Sequence, residues 1–216
     1  AFRAKINNSM ASELFVDNIT GKTGTSGSAP ITLSGNAATL SGTGVTFPAG
    51  HIIQVKFVEF TGHQTIGDGT NGKTFVNIGS GVSGQEFSID MSVSSGNKIV
   101  GFGNVNISAS GRYSGIKVFY DSTQIALGSD DSTNRTRVTV YCMSNNNVTA
   151  DDYVMMNSSF SFNYTPSDTS SHTYKVQAGN THDNSNYTYI NRIGQDGNYG
   201  YVPRGYSHFM LMEIAQ

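Results

Sequence analysis

The stretch Phe87-Ser88-Ile89-Asp90-Met91-Ser92-Val93 decides the fold class. Every second residue is apolar, so an extended segment here has one greasy face and one wet face, as a strand at the edge of a core requires. Val138, Val140 and Cys142 alternate with Thr139 and Tyr141 in the same way. Further out, runs rich in β-branched and aromatic residues predict strands at Ile52–Phe60, Phe75–Ile78, Glu86–Val93, Lys98–Ser108, Gly115–Tyr120, Arg135–Tyr141, Val154–Tyr164, Tyr174–Ala178, Tyr187–Ile193 and Phe209–Ala215. Clusters of Gly, Asn, Ser and Asp separate them, and no segment repeats the i, i+3, i+4, i+7 spacing of an amphipathic helix over three turns. Short, regularly spaced strands without helices predict an all-β sandwich or barrel.

The first fifty residues read differently. Ser12-Glu13-Leu14-Phe15-Val16 is faintly helical, and Thr20 to Ser28 is nearly all Gly, Thr, Ser and Lys, the composition of a linker. Short strand-like pieces follow at Ile31-Thr32-Leu33, Ala38-Thr39-Leu40 and Val45-Thr46-Phe47, closed by Pro48-Ala49-Gly50. The expected organisation is an irregular attachment segment over 1–50 and a β domain over 51–216.

Composition narrows the function. Of 216 residues 13% are charged, about half the usual share, so hydroxyls and amides hold the surface in water. With a net charge of −2 and 13 Lys and Arg spread thinly, no basic stripe exists to neutralise phosphates, which argues against nucleic acid as a partner. No apolar run reaches the ~20 residues a membrane helix needs. The lone Cys142 has no internal disulfide partner. No signal peptide is read at the start, so release from a lysed host is the expected route outside the cell.

The ending His208-Phe209-Met210-Leu211-Met212-Glu213-Ile214-Ala215 is the most informative strand. One face carries Met210, Met212 and Ile214, the other Phe209, Leu211 and Ala215. A sandwich strand should be polar on its outer face, so two apolar faces mean that a second surface covers it. That cover is either a loop of the same chain or a subunit interface around a threefold axis. Tyr187, Tyr189, Tyr199, Tyr201 and Tyr206 lie just upstream and suit an interface or a ligand-binding surface equally. The expected interface set is Phe209, Met210, Leu211, Met212, Ile214, Tyr189 and Tyr201.

Several catalytic patterns fail on context. Gly67-Asp68-Gly69-Thr70-Asn71-Gly72-Lys73-Thr74 spells a phosphate loop, but that chemistry needs a helix after it, and Phe75-Val76-Asn77-Ile78-Gly79 reads as strand and turn. Gly79-Ser80-Gly81-Val82-Ser83-Gly84 spells the dinucleotide fingerprint but precedes a strand. No G-x-S-x-G elbow occurs. The pair His182-Asp183 lies in a polar loop and reads as solvated. Asp130-Asp131 and Asp151-Asp152 are the only candidates for a hard cation such as Ca²⁺, and adjacent carboxylates in such loops read first as turn formers. No catalytic residue, metal ligand or cofactor site is therefore assigned, and a glycan-degrading enzyme, which needs two facing carboxylates, is the least favoured reading.

A resemblance adds to this. The stretch Ile19 to Gly35, then Gly44-Val45-Thr46-Phe47-Pro48-Ala49-Gly50-His51-Ile52-Ile53-Gln54, resembles the N-terminal half of short fibre-type surface-appendage proteins of marine and cyanobacterial bacteriophages. Asn97-Lys98-Ile99-Val100, Gly115 to Tyr120, Ser171 to Gln177, Tyr189-Ile190-Asn191-Arg192, Val202-Pro203-Arg204-Gly205 and Phe209 to Ala215 are similar to the same group. The resemblance implies an antiparallel β-sandwich of the C1q/TNF-like jelly-roll kind, assembled as a homotrimer with the C-terminal strand near the axis. It transfers no catalytic residue. The expected function is a non-enzymatic virion protein, the head of a tail fibre or appendage, binding a host surface glycan and joined to other virion proteins through residues 1–50. A capsid decoration or cement protein of the same fold is the alternative. The polar loops Thr61–Lys73, Asp121–Asn134, Ser144–Asp152 and Asn180–Asn186 are candidate receptor contacts, with His63, Asp68, Asn71, Asp130, Asp131, Asn134, Asp151, Asp152, His182 and Asp183 as the side chains.

Overall fold

The computed structural model describes residues 18–19, 31–34, 37–40, 47–67, 74–82, 84–110, 113–129, 135–142, 154–181 and 187–216. The chain divides into two compact units, Ala1–Pro48 and Ala49–Gln216. In the first, β1 (Asn18–Ile19), β2 (Ile31–Ser34) and β3 (Ala37–Leu40) form an antiparallel sheet in that order. Two of the strand-like pieces read from the sequence thus pair as a hairpin, Ile31 opposite Leu40. The pairing of Asn18–Ile19 with it was not expected.

The second unit is all-β and antiparallel, with no helix among the described residues. One sheet joins β4 (Ile52–Phe60), β15 (Ser207–Ile214), β8 (Lys98–Ala109), β14 (Thr188–Ile190) and β5 (Gln64–Ile66), with β12 (Met156–Tyr164) on the free side of β8. The other joins β10 (Thr123–Ile125), β9 (Ser114–Tyr120), β13 (His172–Asn180) and β6 (Phe75–Asn77), with β11 (Val140–Cys142) also on β9 and β7 (Ser88–Met91) also on β13. Apolar side chains from both sheets merge into one core, an arrangement consistent with a β-sandwich.

Alternation builds that core. In and around β7, Phe87, Ile89, Met91 and Val93 are buried while Ser88 and Asp90 face out. In β15 Phe209 and Leu211 have no exposed surface. The Phe209 ring lies 6.1 Å from Phe87, 6.0 Å from Phe160 and 6.3 Å from Phe162. Room for these rings comes from β8, which carries glycine at the facing positions. Gly103 pairs with both Phe209 and Phe160, and Gly101 with both Leu211 and Phe162. A Cβ at either glycine would overlap the Phe160 or Phe162 ring. Two glycines in a strand interior, unfavourable for the strand alone, are thus explained by close packing. Burying each such aromatic or Leu side chain is worth about 1.5–3 kcal/mol.

Two strands of this second unit escaped the sequence reading. β5 and β10 are three residues long and lie inside the segments Thr61–Lys73 and Asp121–Asn134, so part of each expected loop is sheet. Conversely, of the run Arg135–Tyr141 only Val140 and Tyr141 belong to a strand. Thr139 instead ties itself to β9, its N–H donating to Ile116 O and its Oγ1 accepting from Val118 N.

The phosphate-loop and dinucleotide patterns lack their context. Thr74 leads directly into strand β6. Gly79, Gly81 and Gly84 all have positive φ, and Gly79 packs so closely on Gln85 that a Cβ would overlap its carbonyl oxygen, which makes this segment a turn.

Candidate functional site

The sheet containing β15 carries an apolar patch on the side away from the core. The register sets it out in rows. Phe57, Met210 and Phe102 stand abreast, as do Val55, Met212 and Val100, and Ile52 with Ile214 below them. Phe57 is 66% exposed, Ile52 and Val55 51% each, and Phe102 40%, while the residues between them are half-buried. The patch is bounded. Glu59, His208 and Asn104 form a polar row at one end, Ser161 and Asn163 of β12 a polar column at one side, and Lys98 stands opposite Ile214 at the other end. A groove of about 260 Å³ lined by Phe57, Glu59, Phe102, Tyr206, His208 and Met210 runs along the polar margin. Among the described residues β4 pairs on one side only, with β15, so the patch reaches an open sheet edge. An apolar face of this kind beside a long edge strand marks a surface that something covers.

The end of the patch is held by a buried carboxylate. Glu213, at an inward position of β15, is 1% exposed. It accepts from Gln54 Nε2 at 2.6 Å, Asn97 Nδ2 at 2.7 Å and the Ser94 backbone N–H at 2.8 Å. Burial pushes its pKa up, but these bonds outweigh it and hold the carboxyl below its ordinary value. The result locks β4, β15 and the turn before β8 together.

The expected interface residues separate into two sets. Met210, Met212 and Ile214 lie on the open face, whereas Phe209 and Leu211 are a correction: strand alternation sends both into the chain's own core, where neither has any exposed surface. Tyr189 faces outward from β14, stacked on Tyr187 at 6.1 Å and under the Arg192 guanidinium at 5.2 Å. Tyr201 is exposed in the connection between β14 and β15. Of the candidate receptor residues, His63 is exposed beside β5. Asp68, Asn71, Asp130, Asp131, Asn134, Asp151, Asp152, His182 and Asp183 lie outside the described residues.

Phe57, Val55, Ile52, Phe102 and Val100 were missed. Their signal was present in part, since Ile53, Val55 and Phe57 make one parity of Ile52-Ile53-Gln54-Val55-Lys56-Phe57-Val58 wholly apolar, and Ile52 and Val58 flank Gln54 and Lys56 on the other. Phe102 was masked by its flanking glycines, which face the other way.

At the far margin of the other sheet, two carboxylates accept from the His172 ring, Asp121 Oδ2 at 2.7 Å from Nδ1 and Asp168 Oδ1 at 2.9 Å from Nε2. The hydrogen bond to Asp121, then that to Asp168, raises the imidazole pKa. Its own bond to His172 is the first cause holding Asp168 at about 2. Asp121 is lowered first by the Thr173 backbone N–H and then by His172. This clamp fastens the start of β13 to the β9–β10 turn, where Asp121 has φ +53°. The free Cys142 is buried against Ser158 Oγ at 3.0 Å, and burial pushes its thiol up to about 11. Among the described residues no three His, Cys, Asp or Glu side chains converge in a metal-binding group. No described helix is long and apolar enough to cross a membrane.

No protein-family model matches the chain, and no curated protein matches it.

Proposed function

We infer that this chain is the head of a homotrimeric, non-enzymatic appendage on the outer surface of a bacterial virus, with its outer loops turned to the host surface. The observation that carries the assembly is the bounded apolar patch of Phe57, Met210, Phe102, Val55, Met212 and Ile52. It lies on the outer face of the strand whose two-sided apolar pattern required a cover. Identical copies are the natural partner, because each brings the same patch and the same open β4 edge. The placement on a virion is supported by the resemblance of the sequence stretches to phage fibre-type proteins.

A jelly roll of the C1q/TNF kind is the finer reading of the fold. Taking β6 with β7 and β10 with β11 as single columns and setting the short β5 and β14 aside, the strands fall in the order β4, β15, β8, β12 in one sheet and β7, β13, β9, β10 in the other. First beside last and second beside next-to-last is the order that two Greek keys wound together produce.

Sedimentation equilibrium or native mass measurement on the purified chain tests the assembly. Three chain masses is the expected result. A stable single-chain species removes the basis of the reading, and a dimer covers the patch but abolishes the threefold arrangement. Antibody labelling of the virion then locates the protein: signal at the tail agrees with a fibre head, and signal over the capsid with a decoration protein.

A further inference from the structure

The connection between β14 and β15 is too ordered and too aromatic for a spacer. The bridge between Arg192 and Arg204 closes its base. Asp196 ties the two together, accepting from Arg192 Nη1 at 2.9 Å and from Arg204 Nη2. Beneath, Asn191 is buried, donates to Phe60 O at 2.6 Å and Gly62 O at 2.8 Å, and accepts from Ser207 Oγ at 2.7 Å, so the lobe stands on the core.

At the tip, backbone bonds from Tyr199 N to Gly197 O and from Val202 N to Tyr199 O hold a tight turn. The rings of Tyr199 and Tyr201 lie parallel, 5.3 Å apart with an interplanar angle of 1°. Gly197 seats against Tyr199, where any Cβ would overlap the ring. Tyr199 is therefore held between Gly197 and Tyr201, and Tyr201 is the outermost member. At 67% it is the most exposed large apolar side chain among the described residues.

We propose that this lobe, residues 192–204, is a carbohydrate-binding platform on which Tyr201 stacks against the C–H face of a pyranose ring of a host surface glycan. The proposal rests on the host-surface reading above and assigns it a site. A pyranose has one apolar face and a rim of hydroxyls that both donate and accept. Tyr201 meets the face, and the Asp196 carboxylate and Arg204 guanidinium, 28% and 46% exposed, meet the rim. Because Tyr199 and Gly197 already fix the ring, binding orders little that was free, which favours affinity. The lobe leaves the sheet beyond the polar row of Glu59, His208 and Asn104, so a partner on the apolar patch does not by itself cover Tyr201.

Saturation-transfer NMR on the full chain, with the methyl pyranosides of glucose, galactose, mannose and N-acetylglucosamine as probes, tests this. At least one sugar is expected to receive saturation on its ring C–H protons. Tyr201→Ala should weaken that binding at least about tenfold, the effect of removing an aromatic anchor. Gly197→Ala, which dislodges Tyr199 without touching Tyr201, should weaken it too. The mass and thermal midpoint of Tyr201→Ala should equal those of the parent. Equal binding by Tyr201→Ala overturns the platform and leaves the host-surface reading standing. Saturation of none of the four sugars also overturns it, while the mass of the same sample judges the assembly separately. A changed mass in Tyr201→Ala makes the ring a subunit contact and overturns the proposal.

Discussion

The outer faces of the two sheets solve the same problem in opposite ways. On the β9–β13 side the register places Ser88, Lys175, Phe119 and Gln124 in one row, Asn77, Gln177 and Lys117 in the next, and Asp90 with Thr173 in a third. Gln177 donates to Asn77 Oδ1 at 2.9 Å, Thr173 to Asp90, and Lys117 covers the Phe75 ring at 3.9 Å. Water completes such a face. On the β4–β15 side Phe57, Met210, Phe102, Val55, Met212 and Ile52 occupy the equivalent positions with no polar group among them. Both faces come from alternating strands, and only the outward parity differs. The lesson is that a sandwich needs one apolar parity per strand to fold, so a second one is assigned to something other than folding.

The sharpest way to break this contrast is to put a charge on each face. Phe57→Glu places a carboxylate at the most exposed side chain of the apolar patch, and leaving it desolvated and unpaired in the proposed interface costs several kcal/mol. On the trimer proposed above, the expected outcome is a drop from three chain masses to one in sedimentation at micromolar concentration. Lys175→Glu on the other face should leave the mass unchanged. Equal behaviour of the two variants would remove the distinction between the faces.

Two adjacent residues of β8 separate folding from the proposed assembly. Gly103 faces in and Phe102 faces out. Gly103→Ala drives a Cβ into the Phe160 ring and should cost about 1–3 kcal/mol of folding stability. Phe102→Ser should stay within about 0.5 kcal/mol when unfolding is followed in the dissociated Phe57→Glu background, where assembly no longer adds to the midpoint. In the parent it should weaken assembly.

Much of this was legible in the residues. The alternation at Phe87–Val93 identified sheet and core parity, and the C-terminal strand showed that an apolar face was in surplus without saying which one, because period-2 patterning separates the two sides of a strand but names neither. A list of apolar residues does not say that Phe209 and Leu211 face the chain's own core; the register does. β5 and β10 escaped because three residues are too few to show a period, and their pairing with β14 and β9 is decided by partners far along the chain. Glu213 looks out of place among apolar neighbours until Gln54, Asn97 and Ser94 are seen to converge on it from two other segments.

Glu213 also gives a smaller test, since it serves the core side of the strand that carries the patch. Glu213→Ala strands three donors in a buried site and should cost about 1–3 kcal/mol by urea unfolding at pH 7. Its pKa is depressed in the folded protein, so its contribution is present above the unfolded value of ~4.3 and fades as pH falls through the lower folded value. The difference in urea midpoint between parent and Glu213→Ala should therefore narrow on acidification below pH 4. A difference that stays constant to pH 2 would mean that the carboxylate charge contributes nothing.

The smallest expected effect lies at the margin of the polar face, in the His172 clamp. Hydrogen bonds donated to Asp121 and Asp168 raise the imidazole pKa, so the stabilisation they give is complete below the unfolded value of ~6.5 and is lost as pH rises through the folded value. The two carboxylates are lowered, and their share is lost only in acid, for Asp168 at about 2. All three groups are charged together between roughly pH 4 and 6.5, and there the clamp is tightest. Asp168→Asn removes the partner at Nε2 and leaves Asp121 at Nδ1, so the His172 titration followed by NMR should move down in pH but not reach the value of a free histidine. Since both carboxylates are half-exposed, water and salt screen the interaction, and the thermal midpoint should hardly change. A titration that does not move on losing Asp168 would show that Asp121 alone sets the charge of His172, and the clamp would then join two segments rather than three.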